Sequence, residues 1–181
     1  MTQDDRTGQV AGGSSTGDLP LPAGIPEDAQ LVPAPPARAD RRPLTSTRSK
    51  ARRGALDILF EAEQRGMNAR TLLDERVAHP TGETGPRPYT IRVVEGVVEH
   101  WARIDETIST YSQGWPLRRM PAVDRGILRI GCWEILYNDD VPDGVAVSEA
   151  VQLATALSTD DSPAFVNGLL SRIAEVKETL V

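Results

Sequence analysis

The chain has 181 residues, a formal net charge of -6, one cysteine and two histidines. The lone Cys132 excludes an internal disulfide, and His79 and His100 lie too far apart for any recognised metal-ligand spacing, so no metal, cofactor or oxidising compartment is called for. No basic region followed by a long apolar run opens the chain, and no stretch approaches the roughly 18 apolar residues of a membrane span; the expectation is a soluble cytoplasmic protein.

Residues 1–44 contain no aromatic residue, seven of the 14 prolines and loose runs such as "AGGSSTG" and "LVPAPPAR". Such a segment cannot bury enough apolar surface to offset its ordering entropy, and it is expected to be a disordered tail. From residue 45 onward the pattern is helical. Ala51, Ala55, Ile58, Leu59 and Ala62 line one face of a first helix that Gly66 is placed to end. Asn68 can cap a short second helix carrying Leu72, Leu73 and Val77. "HPTGETGPRP" reads as a loop, without the GK[ST] ending of a phosphate-binding loop. Tyr89 to Ser112 keeps apolar steps of three and four through Val94, Val97, Trp101, Ile104, Ile108 and Tyr111, which predicts one long central helix.

"QGWPLRRMP" breaks the chain, with one turn expected at Leu117 to Met120. Val123, Ile127, Ile130 and Leu136 then define a helix that Leu128, Cys132 and Trp133 make apolar on much of its circumference, so it should be buried. Val145 to Leu157 forms the next helix, and Ser162 with Pro163 in the first turn opens the last, whose core face is Phe165, Val166, Leu169, Leu170, Ile173 and Leu180. The fold class is all-α, about seven helices in a domain spanning 45–181.

No constellation for catalysis emerges. Cys132 sits in "LRIGCWEIL" as a small buried hydrophobe. The pairs Asp139–Asp140 and Asp160–Asp161 flank helix ends, where capping is the ordinary role of an acid. Arg129 and Glu134, set among apolar residues, suggest paired charge holding helices in register. Asn167 and Gly168 in "FVNGLL" suggest a side-chain hydrogen bond and a close helix contact.

The charge is unevenly spread. Residues 1–37 hold one base and five acids, residues 38–53 seven bases and one acid, and residues 54–181 twelve bases and twenty acids. "STRSKARRGALDILFEAEQRG" therefore gathers Arg48, Lys50, Arg52 and Arg53 at the start of a helix, where the helix dipole opposes cations and Arg48 and Arg52, four apart, repel. An anionic partner would relieve both costs, because free amides and cationic side chains then face the same volume. Nucleic acid is the first candidate. Without a paired recognition helix, irregular or single-stranded RNA suits the pattern better than duplex DNA.

Three stretches, "RSKARRGALDILFEAEQRG", "VDRGILRIGCWEILYNDDVPDGVAVSEAVQLA" and "DDSPAFVNGLLSRIA", resemble the NusB family of transcription antitermination factors from about Thr47 to the carboxyl end. The resemblance implies two small helical bundles packed together. It also implies binding of boxA RNA jointly with NusE, a small-subunit ribosomal protein, in antitermination complexes with RNA polymerase and other Nus factors during ribosomal RNA transcription. By motif position, Arg48, Lys50, Arg52 and Arg53 of the first helix and Asp161, Ser162 and Phe165 of the last would face RNA, and Phe60 and Asp124 would face NusE. Ala164 and Thr155 stand where relatives often carry cations, which implies weaker RNA binding. The competing reading is a homodimeric interaction module whose basic run is incidental. A helical domain of this kind also precedes the catalytic part of some ribosomal RNA methyltransferases, but no cofactor-binding pattern follows here.

Overall fold

The computed structural model describes residues 46–81 and 84–180, and the expected tail at 1–44 lies outside them. Seven α-helices follow in order: α1 (Thr47–Arg65), α2 (Ala69–Ala78), α3 (Pro88–Glu99), α4 (Trp101–Tyr111), α5 (Ala122–Tyr137), α6 (Asp143–Leu157) and α7 (Ser162–Val176). Short 3₁₀ turns lie at Leu117–Arg119 and Lys177–Thr179. Among the described residues there is no strand, and no helix is long and apolar enough to cross a membrane.

Local chemistry accounts for the ends. Ser46 Oγ accepts from the Ser49 amide at 2.9 Å, and Asn68 Oδ1 accepts from the Arg70 amide at 2.8 Å, so each satisfies an amide that its helix cannot. Gly66 closes α1 in the left-handed region at φ 62°, and the Met67 amide reaches back to the Ala62 carbonyl at 3.0 Å. Pro88 occupies the first turn of α3, where a missing N–H costs nothing.

Helices α1–α3 pack on one another, α5–α7 do likewise with α4 beside them, and α5 touches both groups. That is why α5 is apolar almost all round: every residue from Gly126 to Leu136 is buried. Glycines on α5 and on its neighbour α3 let side chains close in. A Cβ on Gly96 of α3 would stand 2.0 Å from Trp133 Nε1, and one on Gly131 2.5 Å from Leu170 Cδ1.

Three expectations change. The single helix over Tyr89–Ser112 is two, separated at His100 (φ -104°, ψ 15°). The hydrogen bonds run on through the joint, from the His100 amide to the Gly96 carbonyl and from the Ile104 amide to the His100 carbonyl, so the apolar period survives the bend. His100 stacks on Tyr137 there, with ring centroids 3.8 Å apart. Val77 is half-exposed rather than core, because α2 buries only Ala69, Leu72 and Leu73. Gly168 faces open space; the close helix contacts belong to Gly96, Gly126 and Gly131.

Candidate functional site

The basic start of α1 divides into an inner and an outer set. Arg52 is 2% exposed. Its Nε donates to both Glu134 oxygens at 2.8 and 3.0 Å, and Nη1 lies 3.1 Å from Glu149 Oε2. Ser49 Oγ donates to the same Glu149 oxygen at 2.7 Å. The Tyr89 hydroxyl donates to Glu134 and accepts from Asn138 Nδ2, whose amide oxygen takes a bond from Arg92. One polar network thus ties α1 to α3, α5 and α6. Burial pushes the Glu134 carboxyl up, against the pull of Arg52 and the Tyr89 hydroxyl. Burial, with Glu134 alongside, also pushes the Tyr89 hydroxyl far above its ordinary range, so it remains a donor.

Arg52 is thus buried with its charge matched by two carboxylates, and removing it from them would strand buried acids. Arg48 and Lys50 remain outside. Both are exposed. Arg48 lies 5.3 Å over the Tyr89 ring and has a long 3.5 Å contact to the Asp140 carbonyl. Arg53 is half-exposed and pairs with Asp57 at 2.9 Å. The helix start accepts its cations partly because Glu134 and Glu149 supply the negative charge that its own first turn lacks.

The second predicted cluster lies at the other end of α5. Ser162 and Asp124 are both buried, and Ser162 Oγ donates to Asp124 Oδ2 at 2.7 Å. Having one proton to give, Ser162 must accept from the hydroxyls of Ser158 at 3.0 Å and Thr159 at 2.8 Å. Ser162 and Asp124 are thus both engaged in this buried knot, and their bond ties the start of α7 to α5. Asp161 is exposed beside them. Phe165 is half-buried, its ring 4.7 Å from that of Trp115 at 53°. Phe60, 38% exposed, remains open on α1. Ten residues of α5 separate Asp124 from Glu134, about 15 Å along a helix, so the two predicted RNA clusters occupy opposite ends of the central helix.

Other predicted roles resolve in the same geometry. Arg129 and Glu134 do hold helices in register, but with different partners. Arg129 bonds Asp105 on α4 at 2.8 and 3.1 Å and Glu63 on α1 at 3.1 Å, with its guanidinium 4.1 Å over the Trp101 ring. Cys132 is fully buried, its thiol pushed up to about 12 by burial and by the nearby Asp105 charge. Among the described residues no group of His, Cys, Asp and Glu is placed to hold a metal ion.

Residues 49–175 match the NusB family model. The chain belongs to the NusB family. A transcription antitermination protein NusB from Kineococcus radiotolerans is 62% identical over 138 residues, covering 75% of this chain and 98% of that one. The solved T. maritima NusB superposes with a TM-score of 0.63 at 33% identity, over 72% of this chain and 92% of the other. A structure of the antitermination factors NusB and NusE in complex with double-stranded RNA gives 0.62 at 27% identity, over 71% and 96%.

Three residues take parts that were not apparent from spacing. Glu149, inside "SEAVQLA", and Tyr89, beside Pro88, complete the cage around Arg52. Trp115 was visible only as part of a break in the helical pattern, and its contact with Phe165 joins segments 50 residues apart in sequence.

Proposed function

We propose that this NusB-family chain is a transcription antitermination factor that binds boxA-type RNA together with NusE during ribosomal RNA transcription, in the cytoplasm and by binding alone, with no chemical step of its own. The observation that carries the reading is the split at the start of α1. Arg52 is consumed by Glu134 and Glu149, while Arg48 and Lys50 are held at solvent on a helix end fixed by that pairing. Exposed cations on a rigid helix start are suited to phosphate. The antitermination names of its relatives, and the solved NusB complex with NusE and RNA, supply the partners.

Physical consequences follow. An acidic body carrying few free cations binds RNA modestly and with a salt dependence set by the number of phosphates engaged. Phe60, a large apolar side chain left open on α1, is the part of the predicted NusE face available for contact, whereas Asp124 is buried against Ser162. The test is the anisotropy of a labelled boxA-type RNA titrated with the chain at two salt concentrations, with and without NusE and against a scrambled RNA. Selective binding that NusE strengthens is expected. Equal, weak binding to both RNAs under every condition would leave the homodimeric interaction module as the better account.

A further inference from the structure

The stretch "QGWPLRRMP", read from sequence only as a break, forms a distinct surface beside the start of α7. Two successive residues, Gln113 at φ 24° and Gly114 at φ 82°, take positive φ and turn the chain as α4 ends. Beyond the turn, Trp115 comes to rest against Phe165 of α7, the ring centroids 4.7 Å apart. Both side chains are seated on the core yet keep part of their surface at solvent. The 3₁₀ turn that follows exposes Arg118 and Arg119, and neither is paired with an acid among the described residues.

Among the described residues they share that feature with the exposed Arg48, Lys50, Arg87 and Arg172, but only these two cations are adjacent in the chain. On the same acidic body Arg53, Arg65, Arg70, Arg76, Arg92 and Arg103 are each matched to a carboxylate. Two adjacent unmatched guanidinium groups repel one another, and next to open aromatic surface they supply the two components of single-strand recognition: a ring to stack a base and forks to hold phosphate oxygens. A protein interface would be served less well, since the buried part of such an interface is depleted of unpaired charge.

We propose that the connection between α4 and α5 is a second RNA contact, in which the Trp115–Phe165 pair stacks one unpaired base and Arg118 and Arg119 hold its flanking phosphates. The inference rests on the RNA-binding reading and deepens it: a strand engaged by Arg48 and Lys50 at one end of α5 is gripped again at the other, about 15 Å away by helical rise.

The test uses the full chain and a labelled boxA-type RNA, with NusE present. Trp115→Ala is expected to weaken binding roughly tenfold or more, the loss of one stacked base, and Trp115→Phe to retain most of the affinity while removing the RNA-dependent quench of tryptophan fluorescence. Arg118→Ala with Arg119→Ala, at exposed positions that leave the core untouched, should lower the salt slope by about 1.4, at roughly 0.7 for each phosphate on a single strand. Should Trp115→Ala lose its circular dichroism, the double arginine variant and the quench decide. Wild-type binding with unchanged affinity and slope in the arginine variant and an unchanged quench in Trp115→Phe overturns this contact alone. Variants that lose NusE without RNA present, yet bind RNA as wild type does, overturn it in favour of a protein surface. A wild-type chain that binds no RNA overturns it together with the proposed function.

Discussion

The first turns of α1 and α7 are both helix starts expected to meet RNA, and they are built on opposite principles. At α1 the fixing interaction is ionic: a buried guanidinium held by two carboxylates, a tyrosine hydroxyl and a serine close by. At α7 one buried carboxylate accepts from one serine hydroxyl, and an aromatic pair covers the outside. The ionic end leaves cations free for phosphate, whereas the α7 end leaves ring surface. In each case the residues matched by motif divide between buried and solvent-reaching positions. Arg52 and Ser162 point inward, Arg48 and Phe165 outward.

The sharpest way to break the contrast is at Glu134. Glu134→Ala leaves Arg52 buried with Glu149 alone, and loss of one partner from a buried pair costs about 3–5 kcal/mol. Urea unfolding should show that loss, with the midpoint falling and the slope unchanged. A loss below about 1 kcal/mol would mean that Arg52 is not held as described. At the α7 end, Ser162→Ala should cost about 1–3 kcal/mol, because Asp124 Oδ1 already lacks a partner and Oδ2 would lose its own. Adding Asp124→Ala removes the stranded acid, so the double variant should be less destabilised than the two single losses summed. Strict additivity would show that the two groups do not act as a unit.

Binding sharpens the comparison from the other side. Arg48→Ala with Lys50→Ala touches only the outer set, and should lower the salt slope for boxA-type RNA by roughly one to two units while leaving thermal unfolding in place. The same affinity and slope as wild type would remove the α1 start from the RNA surface.

Which residues divide this way was only partly legible beforehand. Several helix ends and the buried character of α5 follow from period and punctuation, and these match at Gly66, Asn68 and the Ser162–Pro163 start of α7. The inward turn of Arg52 was readable in principle. It stands three before Ala55 and four before Leu56, on the apolar stripe, whereas Arg48 and Lys50 precede the stripe. The clustering of charge masked that periodicity. Its partners are 82 and 97 positions away, and the bond from Ser162 to Asp124 spans 38, so no local pattern connects them. The bend at His100 had no glycine or proline to mark it; it coincides with Trp133 lying on Gly96, a contact between helices distant in sequence.

A third pairing, less enclosed than Arg52–Glu134, shows how far burial sets the strength of such contacts. Glu63 on α1 meets both Arg125 and Arg129 on α5 and keeps 28% of its side-chain surface. Burial raises its pKa, but hydrogen bonds and charge from the two arginines outweigh that, and the carboxyl lies below its ordinary 4.5. A depressed folded-state pKa contributes stability that is full above the unfolded value and disappears as pH falls through the folded one. Glu63→Gln should therefore be less stable than wild type at pH 7, with the gap in urea midpoints closing as pH falls below the ordinary 4.5. Because water screens the pair, the effect should be the smallest of those above. A gap that stays constant on acidification would mean that Glu63 contributes by packing its stem and not by its charge, and would confine the ionic strategy to the buried end of α1.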